Sequence, residues 1–296
     1  MVRYIIILIL FLGCNDGQNQ TLPSSTGAHS EIVVVVDDSL WDNKLNKTFS
    51  QVFNGPIKGL GKIEKEFNII QINNSEFSQV FRRHKNIIIF SDNEKTQNDK
   101  WAKDQLVIQL NINSNTNSLL ETFQKVKSIF VIDELNYLRK KTKKTSNKLI
   151  ENQIKKRFNI EVLIPKKYTN IIMSNELCWM QYNPKEKDEI SQILVFTVNE
   201  AKKTIDNTIL NAVDSVFFKY IKGSAEHSFV KIEKLYNPHI EQNICRGLWR
   251  LENGFMGGPF IFKTYFFDKK TVISLAFTFS PNTQKRDIIK EFEAIL

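Results

Sequence analysis

Pro259-Phe-Ile-Phe-Lys-Thr-Tyr-Phe-Phe267 and Thr271-Val-Ile-Ser-Leu-Ala-Phe-Thr-Phe279, separated only by Asp268-Lys-Lys270, decide the fold class of this chain. Aromatic and β-branched residues fill both runs, and three polar residues are too few for a crossover helix. The two runs therefore read as facing strands. Upstream, Ile171–Met173 and Leu177–Tyr182 read as a strand pair across Ser174-Asn175-Glu176, and Ile190–Val198 as the next strand. Several late strands follow one another without a helix between them. This predicts an α+β fold, with antiparallel or mixed sheets and packed helices.

The first half reads differently. Ile32-Val-Val-Val-Val36 is a β-branched run of strand length, predicted to be buried on both faces, and Asp37, Asp38 or Ser39 would cap the helix that follows. Trp41, Leu45, Phe49 and Val52 place that helix before Asn54-Gly55-Pro56. Further strands are expected at Phe67–Ile72, Asn86–Phe90 and Leu106–Leu110, with a short helix from Ser75 and a polar loop over Ser91–Lys100. Leu119, Phe123, Val126, Phe130 and Leu138 mark a long amphipathic helix. Phe158–Ile164 reads as a strand. A helix follows at Ile205–Tyr220, capped by Thr197 or Asn199, and Ile288, Phe292 and Ile295 mark a terminal one. Strands and a long helix in each half permit two similar α/β-type halves, although no repeat is evident.

The start of the chain carries an address. Arg3, the apolar run Tyr4–Leu12 and Gly13-Cys14 have the order of a bacterial lipoprotein signal, and the run is too short to span a bilayer. A buried first strand and plain secretion are the alternatives. Residues 1–13 are expected to be removed, and Cys14 to receive lipid, palmitate included. Residues 14–30 then form a tether, 31–138 an N-terminal α/β subdomain, 139–157 a basic helix or linker, and 158–296 a C-terminal α+β subdomain. The location implied is the cell envelope, at its outer membrane.

The net charge of +9 is concentrated between Arg139 and Arg157, where nine basic residues face one acid. No aromatic residue interleaves them and no nucleic-acid module surrounds them, so a solvated helical face is expected and nucleic acid is not. Cys178 and Cys245 could bridge in an oxidising compartment, but two buried thiols are the simpler state. His29, His84, His227 and His239 stand apart without metal-ligand spacing, so neither metal nor cofactor is expected. No nucleophile elbow or phosphate loop occurs, and catalytic residues cannot be named.

The densest unusual stretch is Cys245-Arg-Gly-Leu-Trp-Arg-Leu-Glu-Asn-Gly-Phe-Met-Gly-Gly-Pro-Phe260. On a strand, Arg246 and Arg250 share a face and could clamp a carboxylate or phosphate, or simply pair with acids such as Glu252, Asp214 or Asp37. Trp249 lies on the other face, as core or as ligand platform. Gly257 and Gly258 allow a bend or a close approach. These five residues are the candidate binding set.

Arg246-Gly-Leu-Trp-Arg250, Phe255-Met-Gly-Gly-Pro-Phe260 and Lys285-Arg-Asp287 resemble motifs of a Bacteroidota lipoprotein family of unknown function. Leu22–Gly27 with Asp37–Trp41, Pro56–Gly61, His84–Ile88 and Ile164-Pro165 before Tyr168 extend the resemblance over nearly the whole mature chain. It implies an envelope location and one architecture, with no established catalytic residues. The expected function is a binding or scaffolding module for an envelope protein or anionic ligand. An enzyme acting on an envelope polymer or lipid is the alternative.

Overall fold

The computed structural model describes residues 21–61, 64–111, 113 and 118–296. Cys14 and the apolar run before it lie outside the described residues. In the first half, β1 (Glu31–Val35) leads into a helical stretch made of α1 (Asp38–Leu40), a π-helical turn (Trp41–Leu45) and α2 (Asn46–Phe53). Then come β2 (Asn68–Ile72), α3 (Gln79–Arg82), β3 (Asn86–Phe90), β4 (Lys95–Asn98) and β5 (Leu106–Leu110). The sheet order is β2-β1-β3-β5-β4, parallel except for β4. After Glu31 every residue of β1 is apolar because both faces are covered. Ile32, Val34 and Val36 pack with Phe49, Phe53 and Phe123, while Val33 and Val35 pack with Ile72, Ile87 and Val107.

The first half departs from the sequence reading at two points. Asp37 and Asp38 do not cap the helix with their side chains. Asn74 donates to the Asp37 carboxylate, and Gln71 and Asn73 donate to that of Asp38. They tie the end of β1 to the end of β2 and the segment after it, and the Gln71 and Asn73 amides hold the Asp38 carboxyl below its ordinary range. β4 lies inside the expected polar loop. Its Lys-Thr-Gln-Asn sequence is an exposed edge, where polar residues blunt further pairing.

The second half begins after the long helix α4 (Leu119–Lys144) and α5 (Lys148–Phe158). The basic residues 139–157 fall on the end of α4, the turn after it and α5. Arg139 donates to the Ala294 carbonyl and Lys155 pairs with Glu161. β6 (Thr169–Met173), β7 (Leu177–Tyr182) and β8 (Ile190–Val198) precede α6 (Asn207–Tyr220). β9 (Phe229–Ile232), β10 (His239–Glu241), β11 (Ile244–Glu252), β12 (Gly257–Phe266), β13 (Thr271–Phe279) and α7 (Arg286–Ile295) complete the order. The second sheet runs β10-β11-β12-β13-β8-β7-β6, with β9 also on β11, and every pairing in it is antiparallel. α5 and α7 cover one face and α6 the other.

The α+β class with mixed and antiparallel sheets holds, but the two halves differ in topology: a mostly parallel sheet against a wholly antiparallel one. Phe158–Ile164 is not a strand. Phe158 ends α5, Asn159 turns left-handed at φ 57°, and Ile160–Ile164 runs without a ladder, buried at every position but Glu161. Its amides find other partners, with Leu163 N–H donating to the Ile295 carbonyl and Ile164 N–H to the Glu151 carboxylate. α6 is capped by Asp206, whose carboxylate accepts from Ile209 N–H, rather than by Thr197 or Asn199. Cys178 and Cys245 are free and belong to cores on opposite faces of the sheet. Burial pushes their thiols up to about 11 and about 12, so neither is a nucleophile near neutral pH.

His29 provides an acid-sensitive point in the first half. Burial, then the nearby Lys85 and Arg286 charges, lower its pKa to about 4. The folded imidazole therefore stays neutral while the unfolded one, titrating near 6.5, takes up a proton. This contribution to stability is intact above about pH 6.5 and is lost as the pH falls toward 4. The urea midpoint of the wild-type chain should fall more between pH 6.5 and 4.5 than that of His29→Phe. Parallel curves for the two proteins would refute this.

Candidate functional site

Strand alternation sends β11 into two environments. Cys245, Trp249 and Leu251 enter the core under α6. Arg246 and Leu248 face a loop of the first half, where Gly59 and Gly61 hold positive φ of 89° and 75°. A Cβ on Gly59 would lie 2.6 Å from the Arg246 carbonyl oxygen, and one on Gly61 would lie 2.3 Å from Leu248 Cδ1. Both glycines are thus required twice, for their backbone angle and for the approach of the two halves. Beside this contact lies a cleft of about 560 Å³, with walls from Pro56–Lys58, Glu66, α4, β10, β11 and α7.

Charges of alternating sign run along the cleft. Lys127 lies 3.9 Å from Glu66, Glu66 is 2.6 Å from Lys290, and Lys290 is 3.8 Å from Glu293. Glu293 is 2.6 Å from Arg246, which is 3.5 Å from Glu241. Burial raises the Glu66 pKa, but Lys290, Lys127 and Arg286 outweigh it and keep the carboxyl ionised below its ordinary range. Burial lowers the Lys127 pKa, and the more distant Glu66 does not fully compensate. One carboxylate thus serves two ammonium groups, and Lys127 is the less well neutralised. At the rim, Lys58 has no ion-pair partner among the described residues, and burial and Lys58 lower the pKa of His239.

The candidate residues are therefore divided rather than gathered. Arg246 is buried and held by Glu293. Arg250 shares its face but lies four residues on, about 13 Å along the strand, and pairs with Glu233 at 3.2 Å and Glu252 at 2.8 Å. The two guanidiniums do not converge on one anion, and of the acids named from sequence only Glu252 engages either. Trp249 is core. Its indole N–H donates to the Thr278 carbonyl at 3.2 Å, and its ring meets Phe277 edge-on at 5.5 Å. Gly257 and Gly258 belong to β12 opposite Arg250 and Trp249, two residues before the expected strand start. A Cβ on Gly258 would stand 2.1 Å from the Thr278 oxygen and 3.3 Å from Trp249 Nε1, so that glycine admits the Thr278 carbonyl and the indole that donates to it.

Sequence reasoning missed Glu66, Lys127, Lys290 and Glu293. A signal for part of the set was present: Arg286, Lys290 and Glu293 recur at i, i+4 and i+7 beside the apolar face of α7. Among the described residues no group of three or more His, Cys, Asp or Glu could hold a metal ion, and no helix is long and apolar enough to cross a membrane.

A family profile described as Domain of unknown function (DUF4837) matches residues 147–296, half of the chain. The chain belongs to that family. A second profile, Domain of unknown function (DUF8532), matches residues 25–148, so the two meet at the turn between α4 and α5. No curated protein and no solved structure matches. In these terms the DUF4837 segment supplies β10, β11 and α7 to the cleft, and the DUF8532 segment supplies the glycine loop, Glu66 and Lys127.

Proposed function

We propose that the chain is a binding module of a Bacteroidota cell envelope. It is held at the outer membrane by lipid on Cys14 and takes an anionic group of an envelope partner into the cleft between its two segments. Arg3, the short apolar run and Gly13-Cys14 support the anchor. The observation that carries the binding reading is the surplus of positive charge at a concave junction, with Lys127 incompletely neutralised and Lys58 unpaired at the rim. Buried ion pairs contribute little net stability compared with apolar packing. A charged chain in a cleft is therefore better accounted for by recognition than by folding.

Labelled palmitate should enter the wild-type chain and not Cys14→Ser. Quantitative cross-linking in native membranes should join one envelope protein to the wild-type chain. The charge reversal Lys58→Glu, at a solvent-exposed position, should reduce that yield about tenfold at equal abundance, the loss expected for one charge-assisted contact. Equal cross-linking of both proteins would sink the cleft reading. Equal labelling of the wild-type chain and Cys14→Ser would sink the anchor.

A further inference from the structure

A second concavity lies on the opposite face of β11, under the turn between β11 and β12. It has a volume of about 280 Å³, close to the lower end of the ~300–1,000 Å³ typical of small-molecule sites. Ile221, Val230, Trp249, Met256, Phe277 and Phe279 give it apolar walls, and Lys222 and Ser224 stand at its edge. Such a space needs no ligand if every group in it is apolar. Gln192 breaks that pattern.

Gln192 is 6% exposed, and its side chain forms part of the pocket wall. Its carbonyl oxygen accepts the Trp179 indole N–H at 2.7 Å. An indole nitrogen can only donate, so chemistry fixes which end of the amide faces Trp179. The amide nitrogen is left without an acceptor among the described residues. Gln181 stands directly opposite on β7 and brings a second carboxamide to the same wall. That nitrogen is open to the pocket rather than sealed in the core, so an acceptor entering the pocket can take its N–H, whereas an apolar group that displaced the water there would leave it unpaired.

We propose that this pocket binds a small apolar molecule bearing a carbonyl acceptor, an amide or acid on an aromatic or branched aliphatic body. The acceptor takes the Gln192 amide N–H, and the body packs between Trp249, Met256 and Phe279. The bare end of an acyl chain is the wrong ligand, because it would leave the donor unpaired. The site is independent of the cleft and of the lipid anchor.

The test uses the full chain in lipid nanodiscs with methionine methyl groups labelled with ¹³C. Met256 lines the pocket, whereas Met180 packs in the core on the other face of the sheet and serves as the control. Benzamide should shift the Met256 signal saturably and leave Met180 unmoved. It should bind about five- to tenfold more tightly than aniline, a ring whose amine is a poor acceptor. Gln192→Leu should erase that preference. Ser224→Trp, a substitution at the exposed edge, should block the Met256 shift, and it decides the matter if Gln192→Leu does not fold. A Met256 signal unmoved by benzamide overturns the proposal. So does a preference that survives in folded Gln192→Leu, or a shift that survives Ser224→Trp.

Discussion

Arg286→Ala is expected to destabilise the chain by about 3–5 kcal/mol, the cost of leaving one member of a buried ion pair alone. Arg286 is 5% exposed and Glu134 is 3% exposed. The guanidinium meets both carboxylate oxygens of Glu134, with Nη2–Oε2 at 2.7 Å, and its Nε donates to the Glu66 carbonyl at 2.9 Å. One side chain thereby joins α7 of the second half to α4 and the segment before β2 in the first. Removal would strand a buried carboxylate and a buried carbonyl together. Total stability of a domain is only about 5–15 kcal/mol, so this loss would show plainly in a urea midpoint. The double variant Arg286→Met with Glu134→Leu tests the cause. It should recover most of the loss, because the penalty comes from the unpaired charge rather than from missing attraction. A single variant within 1 kcal/mol of wild type would show that water reaches the carboxylate.

Trp249→Ala should cost about 3–5 kcal/mol, the range for deleting a large aromatic side chain from a core. The indole packs edge-on against Phe277, and Gly258 leaves the space it occupies. Trp249→Phe retains a ring there but loses the N–H that reaches the Thr278 carbonyl. Its expected cost is about 1–2 kcal/mol. The order of the three urea midpoints checks this. A Trp249→Ala midpoint equal to that of Trp249→Phe would mean the indole contributes its hydrogen bond and almost no packing.

The strands at the centre of the two sheets were legible because their residues face protein on both sides, as in β1, or face two helical layers, as in β12 and β13. β4 was not, since an exposed edge of Lys95-Thr-Gln-Asn98 has the composition of a loop. Ile160–Ile164 was misread for the opposite reason: burial demands apolar residues whether or not the backbone joins a ladder. In the site, Arg246 was legible as a charge inside an apolar strand. Of its neighbours only Lys290 and Glu293 left a trace, as one stripe of α7, because Glu66 and Lys127 join them only once the chain has folded across both halves. Arg250 shows the limit of alternation, which fixes the face of a side chain but not which acid on that face will hold it.

The bidentate contact of Arg286 with Glu134 spans 152 positions. At about 5–20 residues per second, a ribosome takes roughly 8–30 s to make the intervening chain. Through that interval the flank of α4 that carries Glu134 has no α7 to cover it. The nascent protein thus passes through a defined adhesive stage, in which this flank is open to holdase chaperones or to the wrong neighbour. The arrival of one arginine ends that stage.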